Sequence, residues 1–179
     1  RLPMTDLHPS SPCRFQSFTE PSDPAHVASR VAALRQALAA LQLDGFVVPR
    51  ADEHQGEYVP ANMARLAWLT GFTGSAGNAV VLADKAALIV DGRYTIQSAE
   101  QTDTAVVTPV KMEETPLDRW IERNLPAGGR LGYDPWLHTV DGVAKLEKAV
   151  AVAGGTLVPV TPNPIDTIWP VSPTSWCQG

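Results

Sequence analysis

The stretch Asn78 to Tyr94, NAVVLADKAALIVDGRY, holds two short apolar runs separated by Ala83, Asp84 and Lys85. The pattern predicts a β-hairpin in which Val80 to Leu82 face Leu88 to Val90. Strand and helix signals then alternate to residue 160, which implies a mixed sheet with helices on both faces, a three-layer α/β/α sandwich. With 179 residues and 44% hydrophobic content, the chain can bury one such domain.

Upstream of the hairpin, Asp23 can cap and Pro24 can open a helix on which Val27, Val31, Leu34, Leu38 and Leu41 recur at steps of four and three, up to Gly45. GFVVP reads as a buried strand. NMARLAWLTGF predicts a short helix with Met63, Leu66 and Ala67 on one side, broken at Gly71. Downstream, Tyr94 to Gln101 is expected to be helical, AVVTPV a strand, and TPLDRWIERNL a helix capped at Thr115 with Leu117, Trp120, Ile121 and Leu125 inward. RLGYD is a strand, TVDGVAKLEKAVAVAG a helix ended by Gly154, and TLVPV the last strand. Residues 1–21, rich in Pro, Ser and Thr, read as a flexible arm, and residues 22–161 as the domain. The proline-rich TPNPIDTIWPVSP is expected to continue neither strand nor helix, so 162–179 reads as a linker or tail.

Composition removes several function classes. A net charge of -5, a pI near 5.3 and scattered basic residues argue against a nucleic-acid partner. No apolar run approaches the roughly 20 residues of a membrane span, and RLPMTDLHPSSPCRF lacks the core of a signal peptide, so a cytoplasmic site is the default. Cys13 and Cys177 lie in the two proline-rich ends and are expected to be free thiols.

The segment Thr70 to Asn78, TGFTGSAGN, invites a phosphate-loop reading that fails on detail. A lysine is needed after the last glycine, where Asn78 stands, and Gly71, Gly74 and Gly77 are spaced wrongly for a dinucleotide fingerprint. These glycines read as backbone geometry: Gly71 ends a helix, and Gly74 and Gly77 turn the chain into the hairpin.

The densest titratable group is Asp52, Glu53, His54, Gln55, Glu57 and Tyr58, in a loop just past a strand end, where α/β sheets place ligands. The plain alternative is a solvated loop. No metal site is expected, because His8, His26 and His138 sit far from His54 and nothing resembles HExxH or paired CxxC. Ser75 lacks the glycine at 73 that a nucleophile elbow needs, since Thr73 is there. In DGRY, Asp91 can cap the next helix and Gly92 can turn sharply. Arg93 would emerge at the sheet edge, where its fork could grip a carboxylate; as pure structure, Asp91 and Gly92 form a strand-to-helix turn.

The DEHQGEY loop, the GFTGSAG turn and the VDGRY strand end, in that order and spacing, closely resemble the amino-terminal domain of the Xaa-Pro aminopeptidases, metallopeptidases of the creatinase and prolidase group. GRLGYDP and LVPVTPNPIDTIW extend the resemblance from about Phe15 to Trp169. It implies a creatinase-type domain with a ribonuclease H-like motif, ahead of a separate catalytic domain in which two Asp, one His and two Glu bind two divalent metals, usually manganese. That domain activates water to cleave the bond before a proline at position two. Longer members carry two related α/β domains before it, with Asn163 to Trp169 linking the first to the second. None of those metal ligands is placed in these 179 residues, which are therefore expected to be inactive alone. By the same resemblance, Asp52, His54, Gln55, Tyr58 and Arg93 would contact substrate or the catalytic domain, and the protein would form a homodimer. PVSPTSWCQG after Trp169 departs from the acidic and Arg-Pro continuation usual in the family. A stand-alone binding module that keeps the fold is the alternative.

Overall fold

In the computed structural model, which describes residues 24–50, 65–74 and 76–169, Val27, Val31, Leu34 and Leu38 form one buried stripe on helix α1 (Val27–Ala40). Leu41 does not continue that stripe. The helix stops at Ala40, Gln42 takes a left-handed φ of 57°, and Leu43 turns inward in Leu41's place. Gly45 is not the helix end but the first residue of strand β1 (Gly45–Pro49), where a Cβ would lie 2.9 Å from the Val81 carbonyl oxygen and strike Leu82. A short 3-10 turn, Pro24–His26, precedes α1; the expected cap, Asp23, lies outside the described residues.

The sheet has six strands in the order β4-β3-β2-β1-β5-β6. Besides β1 they are β2 (Gly77–Leu82), β3 (Ala86–Val90), β4 (Thr108–Lys111), β5 (Arg130–Tyr133) and β6 (Thr156–Pro159). Only β2 runs against its neighbours; β1–β5, β5–β6 and β3–β4 are parallel pairs. The carboxyl ends of five strands and the amino end of β2 therefore share one rim.

The hairpin forms with a shifted register. Val80 pairs with Ala87 and Val81 with Ala86, so Leu88, Ile89 and Val90 lie opposite Ala79, Asn78 and Gly77. The Leu82 N–H donates to the Lys85 carbonyl at 2.7 Å, and pairing counts outward from that closure rather than matching the bulkiest residues.

Alternate residues along the strands serve opposite faces. Phe46, Val48, Ala79, Val81, Leu88 and Val90 pack with α1, α2 (Arg65–Thr70) and α6 (Pro164–Ile168). Val47, Val80, Ala87, Ile89, Leu131 and Tyr133 pack with α4 (Leu117–Asn124) and α5 (Val140–Ala153). Helix α3 (Thr95–Gln101) follows β3. The result is a mixed-sheet α/β/α sandwich.

Several local expectations need correction. On α2, Leu69 and Thr70 are buried with Leu66 while Ala67 is only half-buried, because a six-residue helix turns its 66/69/70 face to the core. Strand β4 begins at Thr108, not Ala105, since Val106 and Val107 donate their N–H groups back to the Asp103 carbonyl at 3.0 and 2.9 Å. Thr115 does not cap α4; Pro116 holds that position without a side-chain hydrogen bond. By contrast, Thr139 does cap α5 and Gly154 ends it at φ 80°.

The largest correction concerns the proline-rich end. Residues 164–168 form α6, and Ile165 is fully buried against the α1 face. Asn163 Oδ1 accepts the Ile165 N–H at 3.0 Å, and Pro164 sits in the first turn, where its missing N–H costs nothing. Asn163 to Trp169 is thus packed structure rather than trailing linker. Among the described residues no helix is long and apolar enough to cross a membrane.

Candidate functional site

The pairings Pro49 with Asn78 and Gly77 with Val90 bring the end of β1, the start of β2 and the end of β3 to one place on the rim. The Arg50 N–H donates to the Gly77 carbonyl at 3.2 Å, so the chain enters the polar loop beside the GFTGSAG turn. Asp52, His54, Gln55 and Tyr58, with Ser75, Cys13 and Cys177, lie outside the described residues.

The glycines of that turn make room for one ring. Phe72 is buried, and a Cβ at Gly74 would overlap its ring while one at Gly77 would lie 3.1 Å from it. Gly71 has φ 79°, a left-handed conformation that ends α2 and sends Phe72 inward. Tyr94 meets the same ring edge-on, with centroids 5.8 Å apart. Thr73, exposed on top, is tied to α3: its N–H donates to Gln101 Oε1 at 3.0 Å and its hydroxyl accepts from Gln101 Nε2 at 3.0 Å. The two motifs are one structural unit.

At the end of β3, Asp91 caps a 3-10 turn, Gly92–Tyr94, that leads into α3. Asp91 Oδ1 accepts both the backbone N–H and the Nε–H of Arg93, each at 3.0 Å. These bonds, the backbone one foremost, hold the Asp91 carboxyl below its usual range, and Asp91 in turn raises the Arg93 guanidinium. The Gly92 N–H donates to Glu113 at 2.9 and 3.1 Å, across from β4.

Arg93 lies 73% exposed, its guanidinium 5.5 Å from the Tyr94 ring centre. Its position differs from expectation in one respect: β3 is an inner strand flanked by β4 and β2, so Arg93 stands at the carboxyl end of the sheet rather than at its edge. The carboxylate it grips is its own neighbour's. With Nε engaged, Nη1 and Nη2 make no hydrogen bond to a described residue and remain available to an acceptor from outside the domain.

Reading the sequence alone missed the buried polar contacts. Arg65 on α2 and Asp166 on α6 form a two-pronged ion pair at 2.8 and 3.0 Å. Arg30 lies 4.8 Å over the Trp68 ring, which stacks on Trp169 at 5.6 Å. A charged residue on the apolar side of a six-residue helix was the available sign for Arg65. Asp134, at the end of β5, accepts the Trp136 N–H and Asn163 Nδ2, each at 2.9 Å. His138 packs edge-on to Tyr133, and burial pushes its pKa below 6.5 against the opposing effect of Asp134. Among the described residues no three His, Cys, Asp or Glu side chains converge as a metal site.

A mixed sheet between two helical layers, with its loops gathered on one rim, defines a three-layer α/β domain. The family model for the Creatinase/Prolidase N-terminal domain matches residues 30–168. Human Xaa-Pro aminopeptidase 2 is 39% identical over 137 residues, 76% of this chain and 20% of that protein. The X-prolyl aminopeptidase of Caenorhabditis elegans, a cytosolic enzyme with a di-nuclear active site, superposes with a TM-score of 0.73 at 30% identity, over 80% of this chain and 25% of that one. The N-terminal domain of the cytoplasmic peptidase PepQ from Mycobacterium tuberculosis superposes with a TM-score of 0.59 at 28% identity, over 78% of this chain and 98% of that one.

This chain belongs to the Creatinase/Prolidase N-terminal domain family. It spans 20% to 25% of the length of the human and nematode relatives.

Proposed function

We propose that this chain is the non-catalytic amino-terminal domain of an Xaa-Pro aminopeptidase, and that its rim borders the entrance to a catalytic site carried by a later domain. The observation that carries this reading is the exposed Arg93 fork, fixed by Asp91 at the strand end where the loop after Arg50 also begins. A fork held in place loses little freedom on gripping a carboxylate, such as a peptide terminus or an acidic side chain of the following domain. Asp52, His54, Gln55 and Tyr58 complete the contact surface in this reading.

Peptide cleavage before proline, two divalent metals, manganese among them, and a homodimeric assembly belong to the longer protein. Cytoplasmic location is part of the same proposal, supported by the cytosolic nematode relative. The experiment is a comparison with added manganese. The longer protein is expected to release the first residue of an Xaa-Pro peptide while the 179-residue chain does not; cleavage by the chain alone, or by neither, overturns the reading.

A further inference from the structure

Two carboxylates hold the turn that carries Arg93, and they act on it differently. Asp91 lies two residues from Arg93, so its bonds to the Arg93 N–H and Nε–H close within the Gly92–Tyr94 turn and move with it. They set the shape of the turn but not its place on the sheet. At the trailing end, Tyr94 packs edge-on against buried Phe72. At the leading end, the Gly92 N–H is tied to Glu113, which follows β4.

Strand pairing brings Glu113 to that point. Val90 and Lys111 are partners at the ends of β3 and β4, and the Met112 N–H donates to the Val90 carbonyl at 2.8 Å, so the ladder runs one residue past β4. The Glu113 backbone is then fixed by a turn in which the Glu114 and Thr115 N–H groups donate to the Lys111 carbonyl at 3.1 and 2.9 Å. Both Glu113 carboxylate oxygens accept the single Gly92 N–H, at 2.9 and 3.1 Å. A charged acceptor makes this tie stronger than an ordinary backbone bond. Gly92 leaves it room, since a Cβ there would lie 3.3 Å from Oε2 and 3.4 Å from Oε1. The next acid, Glu114, is engaged with Lys111 instead, at 3.5 Å.

We propose that Glu113 is a positioning residue for Arg93: by fixing the Gly92 peptide to the end of β4, it sets where the Arg93 Nη1 and Nη2 groups stand for an incoming carboxylate. This rests on the reading that Arg93 grips a carboxylate. The geometric half of the test needs no substrate. In the 179-residue chain, hydrogen exchange at the Arg93 Nε–H, read by NMR, is expected to quicken about three- to tenfold in Glu113→Ala. Glu113→Gln, whose amide oxygen can still accept the Gly92 N–H, and Glu114→Ala should both stay near the parent. In the longer protein, Glu113→Ala should raise KM for an Xaa-Pro peptide by a similar factor with little change in kcat, Glu113→Gln should restore it, and Glu113→Ala should add nothing in the Arg93→Ala background. A lower melting temperature with Nε–H exchange and KM both at parent values would overturn the proposal, as would equal effects of Glu113→Ala and Glu114→Ala. If Arg93→Ala leaves KM unmoved while Glu113→Ala still frees the Nε–H, the carboxylate reading of Arg93 fails and the tie from Glu113 to the fork stands.

Discussion

Arg65 and Asp166, 101 residues apart, meet through two hydrogen bonds of 2.8 and 3.0 Å with side chains 2% and 6% exposed. The pair fastens α2, which follows the polar loop, to α6, which ends the packed chain. Removing one partner strands a charge out of water, so Asp166→Ala is expected to destabilise the domain by about 3–5 kcal/mol. The double change Arg65→Met with Asp166→Leu should recover most of that loss. Urea unfolding of the parent and the two variants measures both; a single variant as stable as the parent would show that the pair carries no weight.

The glycine turn makes a steric prediction. Gly74→Ala places a methyl group inside the Phe72 ring and is expected to cost about 1–3 kcal/mol. Phe72→Leu in that background should relieve part of the clash. Thermal unfolding with and without the second change decides whether the glycine is there for space, and equal effects in both backgrounds would contradict it.

His138 gives a pH dependence with a defined sign. Burial lowers its pKa in the folded state below the usual 6.5, so the unfolded chain binds more protons between the two values. Stability from this group is therefore full above pH 6.5 and is lost as pH falls through the folded pKa. An NMR titration should place the imidazole midpoint below 6.5, and His138→Gln should flatten the stability profile over that range. A midpoint above 6.5 would reverse the sign.

Asp91 titrates on the acid side. Its carboxyl is held below the usual 3.8, chiefly by the Arg93 N–H, so its contribution exists above that value and fades as pH drops through the folded pKa. Arg93 is 73% exposed and solvent screens the pair, so the stability effect is small. A carboxyl chemical-shift titration reads it directly, and Arg93→Ala should move the midpoint upward.

Sequence pattern carried the fold where order is local. Val27, Val31, Leu34 and Leu38 announce α1, and Gly154 marks the end of α5, because periodicity and stop signals act within a few residues. Register was not legible in the same way, since apolar runs of similar strength can slide by three positions and only the closure at Leu82 and Lys85 fixes them. The α6 helix was hidden by its prolines, whose effect depends on position in the turn rather than on number. For the rim, Asp91, Gly92 and Arg93 were visible through turn chemistry, while Glu113 and the Arg65–Asp166 pair required the fold to bring distant residues together.

The most direct test of the proposed role is the steady-state kinetics of Arg93→Ala in the longer protein with an Xaa-Pro peptide. Loss of a charge-assisted contact made equally in ground and transition states should raise KM about tenfold or more with little change in kcat, and Arg93→Lys, which keeps the charge without the fork, should fall between. Unchanged KM together with unchanged mass in solution would contradict a substrate-facing or domain-facing role for Arg93.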